Sequence, residues 1–170
     1  MKRMLLALTL VLVPLPSFAC DIQVAFSPDR GATELVVQTI ESAKKTVRVA
    51  AYSFTSKPIA LALLADVKRG VDVKVVVDKS QATARYTAAT FLANQGILVR
   101  VDYRYAIMHN KFVVVDGETV EEGSFNYTSA AAKKNAENVL VVHGSPKVAA
   151  RYAAEWDRLW NESEVLKDHY

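Results

Sequence analysis

Met108-His109-Asn110-Lys111-Phe112-Val113-Val114-Val115-Asp116-Gly117-Glu118-Thr119-Val120-Glu121-Glu122-Gly123-Ser124-Phe125-Asn126 is the stretch on which the reading of this chain turns. Phe112 to Val115 is β-branched and aromatic, Asp116-Gly117 follows, and a second short run ends at Glu122. Asp-Gly between two such runs marks a hairpin turn, because both positions tolerate positive φ. His109 and Lys111 stand two apart at the start of the first strand, and Ser124 and Asn126 stand two apart after the second. Residues two apart on extended chain share a face, so each pair projects together and the hairpin sets the pairs side by side. An imidazole, an ammonium, a hydroxyl and a carboxamide suit a tetrahedral anion better than a hydrophobic core.

Working outward, strands and helices alternate on the N-terminal side. Ile22, Val24 and Phe26 alternate with polar or small residues in a first strand that ends at Ser27-Pro28. Thr33 to Lys45 carries Leu35, Val36, Ile40 and Ala43 at helical spacing, and Thr46 to Phe54 is an apolar, buried strand. Ser56-Lys57-Pro58 starts a helix over Ile59 to Arg69, which Gly70 stops. Val71 to Val77 is a strand closing on Asp78, Ala82 to Asn94 a helix, and Ile97 to Val101 a strand. After the hairpin come a helical turn around Thr128 to Lys134, a strand over Asn138 to Val142 and an amphipathic helix over Pro146 to Trp160. This order predicts an α/β fold, a mixed β-sheet flanked by helices on both faces.

Residues 1–19 read as a cleaved signal peptide and residues 20–170 as one domain. Lys2 and Arg3 precede an apolar run from Met4 to Val13, with small residues Ser17 and Ala19 before Cys20. A periplasmic or secreted location is expected. Lipoprotein anchoring at Cys20 ranks second, because Ser17 stands where such signals usually carry Leu. The apolar run is short for a membrane span. Cys20 is the only cysteine, which excludes an intrachain disulfide and a thiol-ligated metal cage. Taking Lys2 and Arg3 from the 21 Lys and Arg leaves 19, against 18 Asp and Glu. Bulk charge therefore does not mark a nucleic-acid binder, and any phosphate backbone has to be met by a local cluster.

Attack on a phosphodiester needs its charge screened and its leaving alkoxide protonated. Lys111 can supply the charge, and Ser124 and Asn126 can donate to non-bridging oxygens. His109 is the nearby group able to act as nucleophile, base or acid near neutral pH. Glu137 starts the next strand and could accept from one imidazole nitrogen. Each residue alone has an ordinary structural explanation; it is their joint spacing that points to chemistry.

That spacing, His109-x-Lys111-(x)4-Asp116-(x)6-Gly123-Ser124-x-Asn126, resembles the HKD signature of the phospholipase D superfamily. Tyr105 to Phe112 and Gly123 to Thr128 look most like the short bacterial endonucleases of that superfamily, including the EDTA-resistant ones, and Val49 to Phe54 resembles the segment that enters their cleft. The resemblance implies a phospholipase D/nuclease-like fold and a two-step, metal-independent phosphodiester hydrolysis with no cofactor. It implies that His109 is the nucleophile, that Lys111, Ser124 and Asn126 hold phosphate oxygens, that Glu137 orients His109, and that Asp116 is structural. The mature chain carries one signature where longer members carry two, so a twofold homodimer is expected to complete the site. His143 is read as a surface residue at a strand end and His169 as tail. Glu121-Glu122 depart from the pattern; they put negative charge beside an anion site or point outward.

The expected substrate is DNA, and RNA as well, with little sequence preference. Lys133 and Lys134, with Lys57 and Lys79, are the candidate phosphate contacts, and Arg85 and Arg104 are further ones. A phospholipase D-like hydrolase of phospholipid head groups is the alternative. A non-catalytic nucleic-acid-binding module and a metallonuclease using Asp78, Asp116 and Glu137 are weaker readings. The basic Lys111 beside His109 would repel a cation.

Overall fold

The computed structural model describes residues 20–83 and 87–167, so the leader, Arg85 and His169 lie outside the described residues. The strands are β1 (Asp21–Ser27), β2 (Thr46–Ala51), β3 (Asp72–Asp78), β4 (Leu98–Asp102), β5 (Lys111–Val115), β6 (Thr119–Gly123), β7 (Glu137–His143) and β8 (Glu164–Val165). They form one mixed sheet in the order β1-β7-β6-β5-β2-β3-β4-β8. β2, β3 and β4 are parallel neighbours, and the remaining pairs are antiparallel. The helices are α1 (Ala32–Glu41), α2 (Lys57–Lys68), α3 (Ser80–Thr83), α4 (Ala88–Asn94), α5 (Ser129–Lys133) and α6 (Pro146–Glu162).

The valine-rich central strands are apolar on both faces because helices cover both. On one face Val47, Val49, Val75, Val77, Val113 and Val115 meet Leu35, Val36 and Ile40 of α1 and Ile59 and Leu63 of α2. On the other, Ala50, Val76, Phe112, Val114 and Val120 meet Ala149, Trp156 and Leu159 of α6. Burying one such large apolar side chain is worth about 1.5–3 kcal/mol. Trp156 adds direction: its indole N–H donates to Val49 O at 2.9 Å, fixing α6 against the sheet.

The hairpin forms as its turn residues require. Asp116 and Gly117 both have positive φ, 53° and 69°, and the Glu118 N–H donates to Val115 O at 3.0 Å. Asp116 then closes a second loop: its carboxylate accepts the backbone N–H groups of Lys44, Lys45 and Thr46, each at 2.8 Å. Burial alone would raise its pKa; the N–H groups of Thr46, Lys44 and Lys45 outweigh that and hold it below the ordinary aspartate range.

Four features correct or add to the sequence expectations. The helix expected over Ala82 to Asn94 is instead α3 and α4, the second starting at Thr87, whose side chain accepts the Thr90 N–H at 3.1 Å. β8 pairs along β4 and had no sequence signal, being only two residues long. In β1 the alternation holds but the apolar side faces out: Ile22, Val24 and Phe26 are 58%, 54% and 43% exposed, while Ala25 and Ser27 are buried. The cause is that α6 stops short of this edge strand. Finally, Glu121 and Glu122 face opposite sides of the pleat. Glu121 is buried and accepts the Tyr127 hydroxyl at 2.6 Å; Glu122 shares the α6 face with Phe112, its cross-strand partner.

Candidate active site

One edge of the sheet gathers the chemistry. The C-terminal end of β2, the N-terminal ends of β5 and β7 and the C-terminal end of β6 adjoin there, because Ala51 pairs with Lys111 and Gly123 pairs with Val139. Gly123 is needed for that closeness: a Cβ at this position would stand 2.2 Å from Asn138 O. Open α/β sheets bind ligands at such strand ends.

His109, Lys111, Ser124, Asn126 and Glu137 line a single cavity of about 550 Å³, with Phe112, Glu122 and Tyr152 completing its wall. The hairpin thus unites the two pairs, although only Lys111 of the four lies within a strand; His109 precedes β5, and Ser124 and Asn126 follow β6. His109 and Ser124 are exposed, while Lys111 is 8% exposed. Its Nζ lies 2.9 Å from His109 Nδ1 and 3.0 Å from Nε2, and donates to His109 O at 2.8 Å. The ammonium can therefore donate to whichever ring nitrogen holds the lone pair. Burial lowers the Lys111 pKa, against an opposing pull from the Glu137 carboxylate.

Ser124 and Glu137 form their own unit. The Ser124 hydroxyl donates to Glu137 Oε2 at 2.5 Å and accepts the Asn138 N–H at 3.1 Å. Asn135 Nδ2 donates to Glu137 Oε1 at 3.1 Å. Glu137 makes no hydrogen bond to His109 among the described residues, which corrects the expected orienting contact. The reason is local: Ser124 hangs from β6 directly beside the start of β7, while Lys111 lies across both nitrogens of the imidazole. Asn126 Oδ1 is buried without a partner among the described residues, an unpaired acceptor that a turn of the amide would exchange for its Nδ2 donor.

The histidine itself is positioned from below by residues that sequence reasoning passed over or left unassigned. The Tyr52 ring packs 4.5 Å from the His109 ring, centroid to centroid, and lies 5.3 Å from Lys111 Nζ. The Tyr52 N–H donates to Asn110 O at 3.0 Å. Buried Asp78, at the end of β3, accepts the Met108 N–H at 2.8 Å and so pins the loop one residue before His109. Both stand at strand ends, Tyr52 just after β2 and Asp78 closing β3. Nothing in the sequence marked Tyr152, which arrives on α6.

The candidate phosphate contacts scatter. Lys79 donates to Tyr105 O at 2.9 Å and braces the loop that leads to His109. Arg104 pairs with Glu162 at 3.6 Å. Lys57 and Lys133, distant in sequence, line a second cavity together; exposed Lys134 lines neither cavity. Asp116 sits at the far end of the hairpin, away from the site. His143 is half-buried at the end of β7, with Nε2 buried and without a partner among the described residues, instead of lying open on the surface. Among the described residues no three His, Cys, Asp or Glu side chains cluster in a way that could hold a metal ion, and no helix is long and apolar enough to cross a membrane.

A family model described as cardiolipin synthase, PLD-like domain, matches residues 36–160. The chain is similar to the crystal structure of a phospholipase D family member, Nuc from Salmonella typhimurium, with a TM-score of 0.84 and 44% identity, covering 86% of this chain and 98% of that one. It is 34% identical over 136 residues to phospholipase D of Rickettsia typhi, a match spanning 80% of this chain and 66% of that protein's length. It is also 34% identical over 152 residues to mitochondrial cardiolipin hydrolase of Xenopus laevis, covering 89% of this chain and 70% of that protein.

Proposed function

The chain belongs to the phospholipase D-like family, and from that premise we propose that it is a metal-independent phosphodiesterase that cleaves nucleic acid, DNA first and RNA by the same chemistry. The observation that carries this is the convergence of His109, Lys111, Ser124 and Asn126 on one cavity. An imidazole nitrogen of His109 attacks phosphorus, a nitrogen–phosphorus bond forms, and the leaving oxygen departs with a proton. Lys111 screens the non-bridging oxygens, and Ser124 and Asn126 donate to them. Water then gives a proton to the group that protonated the leaving oxygen, attacks phosphorus and breaks the nitrogen–phosphorus bond, which frees His109. The Ser124 hydroxyl has to turn from Glu137 toward phosphate for this, which makes the Glu137 carboxylate the group that holds Ser124 ready between turnovers.

One imidazole cannot be both nucleophile and acid in the first step, so a second copy of the chain contributes His109 of the partner subunit. The uncovered apolar side of β1 supports a homodimer. Ile22, Val24 and Phe26 stand on the sheet face that carries α6, and the row Val24–Leu140–Glu122–Phe112 runs from that bare edge to the cavity. An exported location, periplasmic or secreted, with residues 20–170 as the working domain, belongs to the same proposal.

Hydrolysis of phospholipid head groups is the second reading. It is supported by the likeness to the Rickettsia phospholipase D and the Xenopus cardiolipin hydrolase and by exposed Tyr103 and Ile107 on the loop before His109. The likeness to Nuc, at 44% identity over 86% of this chain and 98% of that one, supports the nucleic-acid reading. The test incubates purified protein with plasmid DNA and with cardiolipin or phosphatidylcholine vesicles in parallel, in excess EDTA. Plasmid nicking without lipid hydrolysis is expected; lipid hydrolysis without nicking overturns the nuclease reading.

A further inference from the structure

A second cavity, of about 580 Å³, lies between the N-terminal ends of α1 and α2, with the Thr128 to Lys133 segment as its third wall. It shares structure with the candidate active site. Thr55 and Ser56 both donate their N–H groups to Tyr127 O, at 2.9 and 2.8 Å. Tyr127 follows Asn126 directly, and Tyr52, a few residues before Thr55, packs on His109.

The cavity has the features of a phosphate subsite. Arg30, Lys57 and Lys133 line it. α1 starts after Gly31, which has no side chain to cap with, and α2 after Ser56, whose side chain takes up no N–H of the first turn; Pro58 removes one donor from α2, and the remaining first-turn N–H groups of both helices stay free of side-chain caps. Such N–H groups and the helix dipole favour an anion. The independent sign of a ligand is Ser56: it is 7% exposed, lines the cavity, and its hydroxyl makes no hydrogen bond among the described residues. The hydroxyl is not sealed off, so it faces the cavity with its hydrogen-bonding capacity open to a ligand oxygen. Asp29 and Glu34 also line the cavity; both are exposed, free to turn toward water, and they moderate the attraction without cancelling it.

We propose that this cavity binds a phosphate of the substrate strand other than the one being cleaved. The proposal rests on the nucleic-acid reading and deepens it: the strand runs from His109 past the Phe54–Tyr127 bridge to the Ser56 hydroxyl and the α1 and α2 termini. A small ligand with one phosphodiester at the active site cannot use the subsite.

Steady-state cleavage of a single-stranded DNA oligonucleotide and of bis(4-nitrophenyl) phosphate, measured over a range of salt, tests it with wild type, Ser56→Ala, and the Lys57→Ala/Lys133→Ala double variant. The ratio of oligonucleotide to small-diester kcat/KM should fall about tenfold in the double variant, through KM, and the slope of log KM against log salt should shrink by about 0.7 per lysine. Ser56→Ala should lower the same ratio several-fold while the thermal midpoint holds, because no cap bond is lost. If Ser56→Ala fails to fold, the exposed lysines carry the test alone. Oligonucleotide cleavage with ratio and slope unchanged in the variants overturns the subsite and leaves the nuclease reading standing. Wild type that turns over the small diester but spares the oligonucleotide overturns both.

Discussion

The two ends of the β5–β6 hairpin are built from one stretch of sequence and behave in opposite ways. At the turn, Asp116 has its carboxylate fully engaged by three backbone N–H groups at 2.8 Å. At the open end, Lys111 is buried beside His109, Asn126 Oδ1 has no partner among the described residues, and the Ser124 hydroxyl is held by the Glu137 carboxylate. A satisfied end stabilises a fold; an end with polar groups left over is equipped for a ligand. The difference teaches that a signature read as one unit divides physically into an anchor and a reagent.

Substitutions at the two ends should therefore separate cleanly. His109→Ala is expected to lower plasmid nicking in EDTA by at least about 10³-fold, as loss of a covalent nucleophile does, with the unfolding midpoint unchanged. Asp116→Ala should do the reverse, costing about 2–4 kcal/mol of stability in urea unfolding while the activity per folded molecule persists. An Asp116 variant that folds normally but cannot cleave would break the division.

Lys111→Met sharpens it at the reagent end. Activity should drop about 10²–10³-fold, the cost of losing one preorganised donor to a charged transition state. Folding stability should hold or rise, because an ammonium no longer has to be buried. In the wild type, whose Lys111 pKa burial depresses, the alkaline limb of kcat/KM should lie below pH 10.5, the ordinary lysine value.

The last contrast is between two carboxylates on the same hairpin. Burial pushes Glu121 up from 4.5 to about 8, against the lowering effect of its bond from Tyr127. The folded state then keeps a proton that the unfolded chain has released, so this group's contribution is fully present below pH 4.5 and is lost as pH rises toward about 8. Asp116, held below the ordinary range, has the opposite sign: its contribution is present above the unfolded aspartate pKa and lost as pH falls through the folded one. Glu121→Gln should flatten the stability loss between pH 4.5 and 8 and leave the acid loss intact, as read by thermal unfolding across pH.

Much of this was legible in the chain. Asp116-Gly117 demands positive φ and marks the hairpin, and the valine runs of β2, β3 and β5 demand cover on both faces. The four polar side chains at the open end follow from the hairpin's register, whereas their chemical roles came from the family resemblance. What stayed hidden depends on which side of an element is covered. Alternation in Ile22, Val24 and Phe26 defines a face but cannot say that α6 stops short of it. Glu121 and Glu122 are adjacent letters on opposite faces. Lys57 and Lys133 meet because two helix-bearing segments return to the same place, and no local pattern encodes that. Glu137 starts β7 as expected, yet reaches Ser124 instead of His109 because the neighbouring strand end is nearer.

The most direct measurement is rapid acid-free quenching of wild-type protein during turnover of an oligonucleotide in EDTA, followed by peptide mass spectrometry under alkaline conditions that preserve phosphoramidates. A phosphoryl adduct, with the oligonucleotide fragment attached, is expected on the peptide containing His109 and nowhere else. Undiminished turnover with no adduct there, or an adduct on another residue, would contradict the account.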